Sequence, residues 1–220
     1  MTAERSGSDI SISKLIFVPF LITLAITLLR LVGELQHWPT ALFNPAAGGG
    51  FALVGIWWLA PVFGIYFALK LVGAGKGCPS VAKPILLALL AIVVCVAGGF
   101  ALRAFGTSPA ALLGFALFAI GAIIPAAGWK DLFKVLVAYA FAARIPVLIV
   151  MFFAIRGDWH THYDVAPDNF AEVGFWPKFL EIAFLPQMIL WIAYTVIVGT
   201  LFGAVVAAFV RRDKKVPVAA

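Results

Sequence analysis

Six stretches of the chain are apolar almost without interruption: 15–32, 51–72, 84–105, 109–128, 132–155 and 180–210. A helix needs about 20 such residues to cross a hydrocarbon layer. None of the six shows the period-two alternation of a membrane barrel, so they are expected as helices. Breakers fall between them. Gly73-Ala74-Gly75 follows the second, Gly106-Thr107-Ser108-Pro109 separates the third from the fourth, and Gly128-Trp129-Lys130-Asp131 separates the fourth from the fifth. Joints this short predict antiparallel neighbours. Two connections are longer: 33–50, which ends in Gly48-Gly49-Gly50, and 156–179. The last stretch exceeds what a crossing needs, which predicts either a tilt or an interfacial start broken at Pro186.

This pattern predicts an all-α, polytopic integral membrane bundle of about six transmembrane helices. The bundle forms a single domain over 15–210, with short tails at 1–14 and 211–220. No small-x-small cleavage pattern follows the first run closely, so that run is expected as an uncleaved span. Composition points the same way. The chain is 64% hydrophobic and 12% charged, with a mean hydropathy of +1.07. A soluble domain is about 45–50% apolar and about 25% charged. The lipid bilayer is the expected solvent.

The net charge of +6 would suggest nucleic acid as a partner of a soluble protein. Here the basic residues sit in short clusters between apolar runs, the form a topology signal takes, and no nucleic-acid partner is expected. With the N-terminus inside, the inner segments hold eleven of the sixteen basic residues: Arg5, Lys14, Lys70, Lys76, Lys83, Lys130, Lys134, Arg211, Arg212, Lys214 and Lys215. Six of the ten acids, Glu34, Asp158, Asp164, Asp168, Glu172 and Glu181, fall toward the outer side. Both termini are therefore expected in the cytoplasm, and a bacterial-type inner (plasma) membrane is the expected location. Cys78 and Cys95 form no disulfide framework or CxxC motif.

Arg144 carries the strongest chemical signal. It stands near the middle of the fifth span, too far from either surface for its side chain to snorkel out. A central arginine costs about 2.5–3.5 kcal/mol on insertion scales, so something must compensate it. A polar pocket that holds a carboxylate, a phosphate or a lipid head would do so. So would a purely structural tie to free carbonyls, one of which Pro146 leaves at Ala142. Tyr139, Tyr194 and Glu181 are candidate pocket residues beside it, together with Thr23, Thr27 and Thr195 if they face Arg144. The polar residues near the outer helix ends, Arg30, Glu34, Arg103, Arg156 and Glu181, are expected as ion pairs around the rim.

The connection after the fifth span reads Arg156-Gly157-Asp158-Trp159-His160-Thr161-His162-Tyr163-Asp164. It holds two of the three histidines, and the third, His37, lies in the other long connection. Neutral imidazoles and carboxylates make a ligand set for zinc or a similar divalent metal, so His37, His160, His162, Asp158 and Asp164 are candidate ligands. A polar loop that caps the bundle explains the same residues without metal. His-x-His-x-Asp also begins the metallo-β-lactamase motif, but Val165 stands where another histidine would continue it.

Gly199 and Gly203, continued by Ala207, put small residues on one face of the last helix; Gly114 and Gly121 do the same in the fourth. Such stripes serve close packing within a chain, or contact with a second copy or with subunits of a membrane complex. There is no Walker A motif, no Gly-x-Ser-x-Gly and no His-Glu-x-x-His. The leading expectation is a non-enzymatic small-solute or lipid-binding transport or channel-like component with a pocket at Arg144. The alternatives are a structural or assembly subunit of a larger membrane complex, and a membrane-embedded, metal-assisted hydrolase using the His/Asp loop.

Overall fold

The computed structural model describes residues 10–106, 109–168 and 170–213. Among them every regular element is helical and there is no strand. In chain order the helices are α1 (Ile12–Leu35), α2 (Leu59–Gly73), α3 (Ala82–Phe105), α4 (Leu112–Ile123), α5 (Lys130–Gly157), α6 (Phe175–Lys178) and α7 (Trp191–Asp213). Short 3₁₀ turns flank α4 at Pro109–Ala111 and Ile124–Ala127. Five helical units are long and apolar enough to cross a membrane: Ile12–Leu35, Ala82–Phe105, Pro109–Ala127, Lys130–Gly157 and Phe175–Val210. Arg5, Lys214 and Lys215, with most of both tails, lie outside the described residues.

The second apolar stretch departs from its expected form. Only its latter part is helical, as the 15 residues of α2. The cause lies in the preceding segment. Gly48, Gly49 and Gly50 take φ of 71°, 72° and 50°, a left-handed conformation that glycine adopts at little cost. Beyond them the carbonyls of Ala52 and Leu53 accept hydrogen bonds from the indoles of Trp57 and Trp58. Carbonyls engaged this way do not build a helical ladder, and the helix starts at Leu59.

The last stretch departs too. Pro186 does not break it. Residues Phe179–Phe184 and Pro186–Leu190 form π-helical turns that join α6 to α7 as one continuous rod. Proline lacks an N–H and its ring crowds the carbonyl of the preceding turn. A wider turn absorbs that crowding without ending the helix.

α7 is the axis of the bundle, packing on α2, α5, α3 and α4. Its small residues make this possible. A methyl group at Gly203 would sit 2.7 Å from the carbonyl oxygen of Gly64, so the α2 and α7 backbones touch only because both positions are glycine. Gly98 and Gly114 do the same for α3 and α4. The main core gathers Phe63, Phe67, Leu132, Leu136, Tyr139 and Val196 from α2, α5 and α7. α1 lies against α5 and is held there by Thr23, whose hydroxyl donates to the Pro19 carbonyl and accepts from the Tyr139 hydroxyl at 2.8 Å. At the joint before α5, the buried Trp129 donates from its indole to the Lys76 carbonyl at 2.9 Å and ties two short connections together.

Candidate functional site

Arg144 lies mid-way along α5 and is only 4% exposed. It is 13 residues before Gly157, about 20 Å of helix rise. Its guanidinium lies over the indole of Trp191, 4.6 Å from the ring centroid. Nη1 reaches the side-chain oxygen of Gln187 at 3.4 Å, a long contact to a neutral acceptor. Nε is buried and has no partner among the described residues. Among the described residues, no carboxylate pairs with it. A desolvated cation–π contact is worth about 2 kcal/mol. That offsets much of the insertion cost, but an unmet buried donor adds about 1–3 kcal/mol against the fold. The protein alone leaves this cation under-compensated.

The guanidinium lines a cavity of about 380 Å³. Thr27 and Arg30 of α1, Arg144, Val147 and Met151 of α5, and Gly48, Ile56 and Trp57 of the first long connection contribute walls. His162 and Tyr163 come from the second connection, and Glu181, Ile182, Pro186, Gln187 and Trp191 from the last helix. The last five recur at steps of five, 182–187 and 181–186–191. In an α-helix, residues five apart point about 140° from one another. The i→i+5 bonding of a π-turn brings them back to one side. The wide turns therefore carry Pro186 round toward the side of Glu181, and Gln187 toward the side of Ile182.

A second charged group closes the end of the cavity near the long connections. Arg30 and Glu34, one helical turn apart, are both buried and pair at 2.8 Å. Nη2 of Arg30 also donates to the carbonyls of Asn44 and Gly49, at 3.1 and 2.9 Å. A side chain at Gly49 would collide with that nitrogen, which explains the glycine. The Glu34 carboxylate accepts the backbone N–H of His162 at 2.8 Å and its Nδ1–H at 2.6 Å. Burial pulls the His162 imidazole below its ordinary range; the Glu34 hydrogen bond opposes the drop and the Arg30 charge adds to it. His162 is thus a neutral donor. Burial pushes the Tyr163 phenol above its usual range, and its hydroxyl donates to the Thr27 carbonyl at 3.1 Å.

Several expected site residues stand elsewhere. Tyr139 is buried beneath the cavity between Phe63, Phe67 and Thr23. Tyr194 packs edge-on against Trp191 and does not line the cavity. Arg144 makes no bond to the carbonyl that Pro146 frees. Arg30 and Glu34, expected on the rim, line or close the cavity itself.

The candidate metal ligands have separate tasks. Asp164 accepts from the N–H groups of His160 and Thr161 and from the Thr161 hydroxyl, shaping the turn. His162 is committed to Glu34. His160 and Asp158 face one another at 3.7 Å with both side chains largely exposed. His37 sits past the end of α1 at a left-handed φ of 54°. Among the described residues, no three of His, Cys, Asp and Glu form a group able to hold a metal ion.

Gly199 and Gly203, considered above as an assembly surface, are buried within the chain against Leu136 of α5 and Gly64 and Ala68 of α2. No family model, no curated protein and no solved structure matches this chain.

Proposed function

We propose that this chain is a multi-pass membrane protein whose cavity binds a small anionic solute or a lipid headgroup, as the binding element of a transporter or channel-like component. One observation carries this: a cation deep in an apolar helix lines a cavity, and among the described residues its partners are a neutral amide and an indole, with one buried donor unmet. A structural tie would satisfy the guanidinium with carbonyls or an acid. An anion in the cavity would complete it with charge-assisted bonds.

Six crossings and two cytoplasmic ends belong to the same reading. α2 rises about 22 Å over its 15 residues, short for a full crossing, with Trp57 and Trp58 at its start where an interfacial belt belongs. The connections 36–58 and 158–174 contain no Lys or Arg, whereas Lys70, Lys76 and Lys83 surround the opposite joint. That asymmetry supports placing the long connections outside an inner membrane.

Binding is tested on the purified protein by titrating benzoate, octanoate and glycerol 3-phosphate and following indole fluorescence, since Trp57 and Trp191 line the cavity. The expected result is saturable binding of at least one of these anions, lost in Arg144→Gln at equal expression. Equal binding by the variant, or no binding by either protein, overturns the proposal. Reporter fusions that place the two ends on opposite faces would overturn the six-crossing arrangement.

A further inference from the structure

The charges around the cavity do not balance as a simple anion site would require. Arg30 is neutralised by Glu34, which also takes His162. Two charges then remain on the wall, Arg144 and Glu181. Glu181 is half-buried and, among the described residues, has neither an ion-pair partner nor a hydrogen bond. Lys178, three residues before it, does not pair with it and lines a different depression, beside Arg156 and Phe175. Glu181 precedes Gln187 by six residues on the same wall, so the carboxylate and the guanidinium stand at different heights. Two opposite charges lining one cavity would ordinarily pair. Here they are held apart, with apolar and aromatic side chains (Ile56, Trp57, Val147, Met151, Ile182) completing the walls.

We infer that the ligand is a zwitterion: its carboxylate or phosphate goes to Arg144 and Gln187, its ammonium goes to Glu181, and its apolar body lies against Trp57 and Ile182. This rests on the anion-binding reading above and adds the second pole. The π-helical turns give the inference a structural basis. They carry Gln187 round to the side of Ile182, the neighbour of Glu181, whereas in an α-helix residues five apart point about 140° from one another. At about 380 Å³ the cavity suits one small molecule or one headgroup. Two sources present this chemistry: a free apolar amino acid, or the headgroup of an ethanolamine phospholipid.

The test compares matched probes on the full chain in nanodiscs made only of phosphatidylglycerol. Leucine and phenylalanine are titrated beside their deaminated acids, 4-methylpentanoate and 3-phenylpropanoate. In a second arm, nanodiscs of mixed phosphatidylethanolamine and phosphatidylglycerol are assembled and the lipid retained on the protein is read by native mass spectrometry. The expected result is that the amino acid binds about tenfold or more tightly than its deaminated acid, or that phosphatidylethanolamine is retained over phosphatidylglycerol by a similar factor. The first outcome identifies a free solute and the second a lipid. In either case Glu181→Gln should erase the preference while leaving the melting profile unchanged, and Arg144→Gln should abolish binding of both members of each pair. If the deaminated acids bind as well as the amino acids and are lost in Arg144→Gln, the second pole is wrong and the anion site stands. If no probe shows a preference and Arg144→Gln changes nothing, both fall.

Discussion

Nδ1 of His162 lies 2.6 Å from Oε1 of Glu34, a contact that spans 128 residues of chain. Through it the second long connection is fastened to the end of α1. Through Arg30, which shares the same carboxylate, the first connection is fastened there as well. Glu34 thus accepts from its own helix and from the second connection, and Arg30, held by the same carboxylate, reaches the first.

Removing that acceptor should be costly. Glu34→Ala leaves a buried guanidinium and an imidazole N–H without their partner, and breaking a buried pair this way costs about 3–5 kcal/mol. Unfolding of the purified variant by SDS titration should show a loss of that size. A change within about 0.5 kcal/mol, ordinary for a surface substitution, would mean the pair contributes nothing.

The fastening should depend on pH. The folded His162 holds its proton less tightly than a free imidazole, whose ordinary value is 6.5. The unfolded chain therefore binds more protons below that value. The stability involved is complete above pH 6.5 and is lost as pH falls through the depressed folded value. Between pH 8 and 5 the wild-type melting temperature should fall more steeply than that of His162→Gln, which can still donate to Glu34 but does not titrate. Parallel curves would rule out this imidazole as the source.

Arg144 should behave in the opposite way to Glu34. Among the described residues it has no carboxylate partner to orphan, and an apolar side chain of similar volume carries none of the desolvation cost of its buried charge. Arg144→Met should therefore melt at or above the wild-type temperature in the absence of added ligand, while losing anion binding. A large drop in melting temperature would show the arginine to be a structural tie.

Two glycines of the bundle separate packing from mere presence in a span. Gly203→Leu forces a side chain into the α2 backbone and should destabilise by about 1–3 kcal/mol. Gly99, in α3, has nothing within 4 Å of where a side chain would begin, and Gly99→Leu should melt like the wild type. Equal effects at both positions would deny the close approach of α2 to α7.

Much of the bundle was legible because lipid-solvated helices leave long apolar runs with breakers between them. The cores of α1, α3 and α5 fall within a few residues of their predicted limits. Arg144 was legible for the same reason, as a charge with no route to water. The other charged groups beside the cavity were not. Arg30 and Glu34 sit near a helix end and read as rim residues; only the fold of the 36–58 connection, which covers them, makes them interior. His162 read as a metal ligand because residue type alone does not distinguish a ligand from a hydrogen-bond donor. The late start of α2 was hidden because the segment before it is as apolar as a helix, although Gly48-Gly49-Gly50 and Gly55 marked it. The π-turns left one trace, a proline inside an otherwise continuous span, and that proline read as a break.

The segment from Phe179 to Leu190 is constrained in length more than in composition. Exchanging one aliphatic side chain there for another keeps every residue on its own side of the rod. Deleting or inserting a single position would restore ordinary pitch or widen it further, rotating all that follows. Gln187 and Trp191 would leave Arg144, although no residue that touches the guanidinium had been changed.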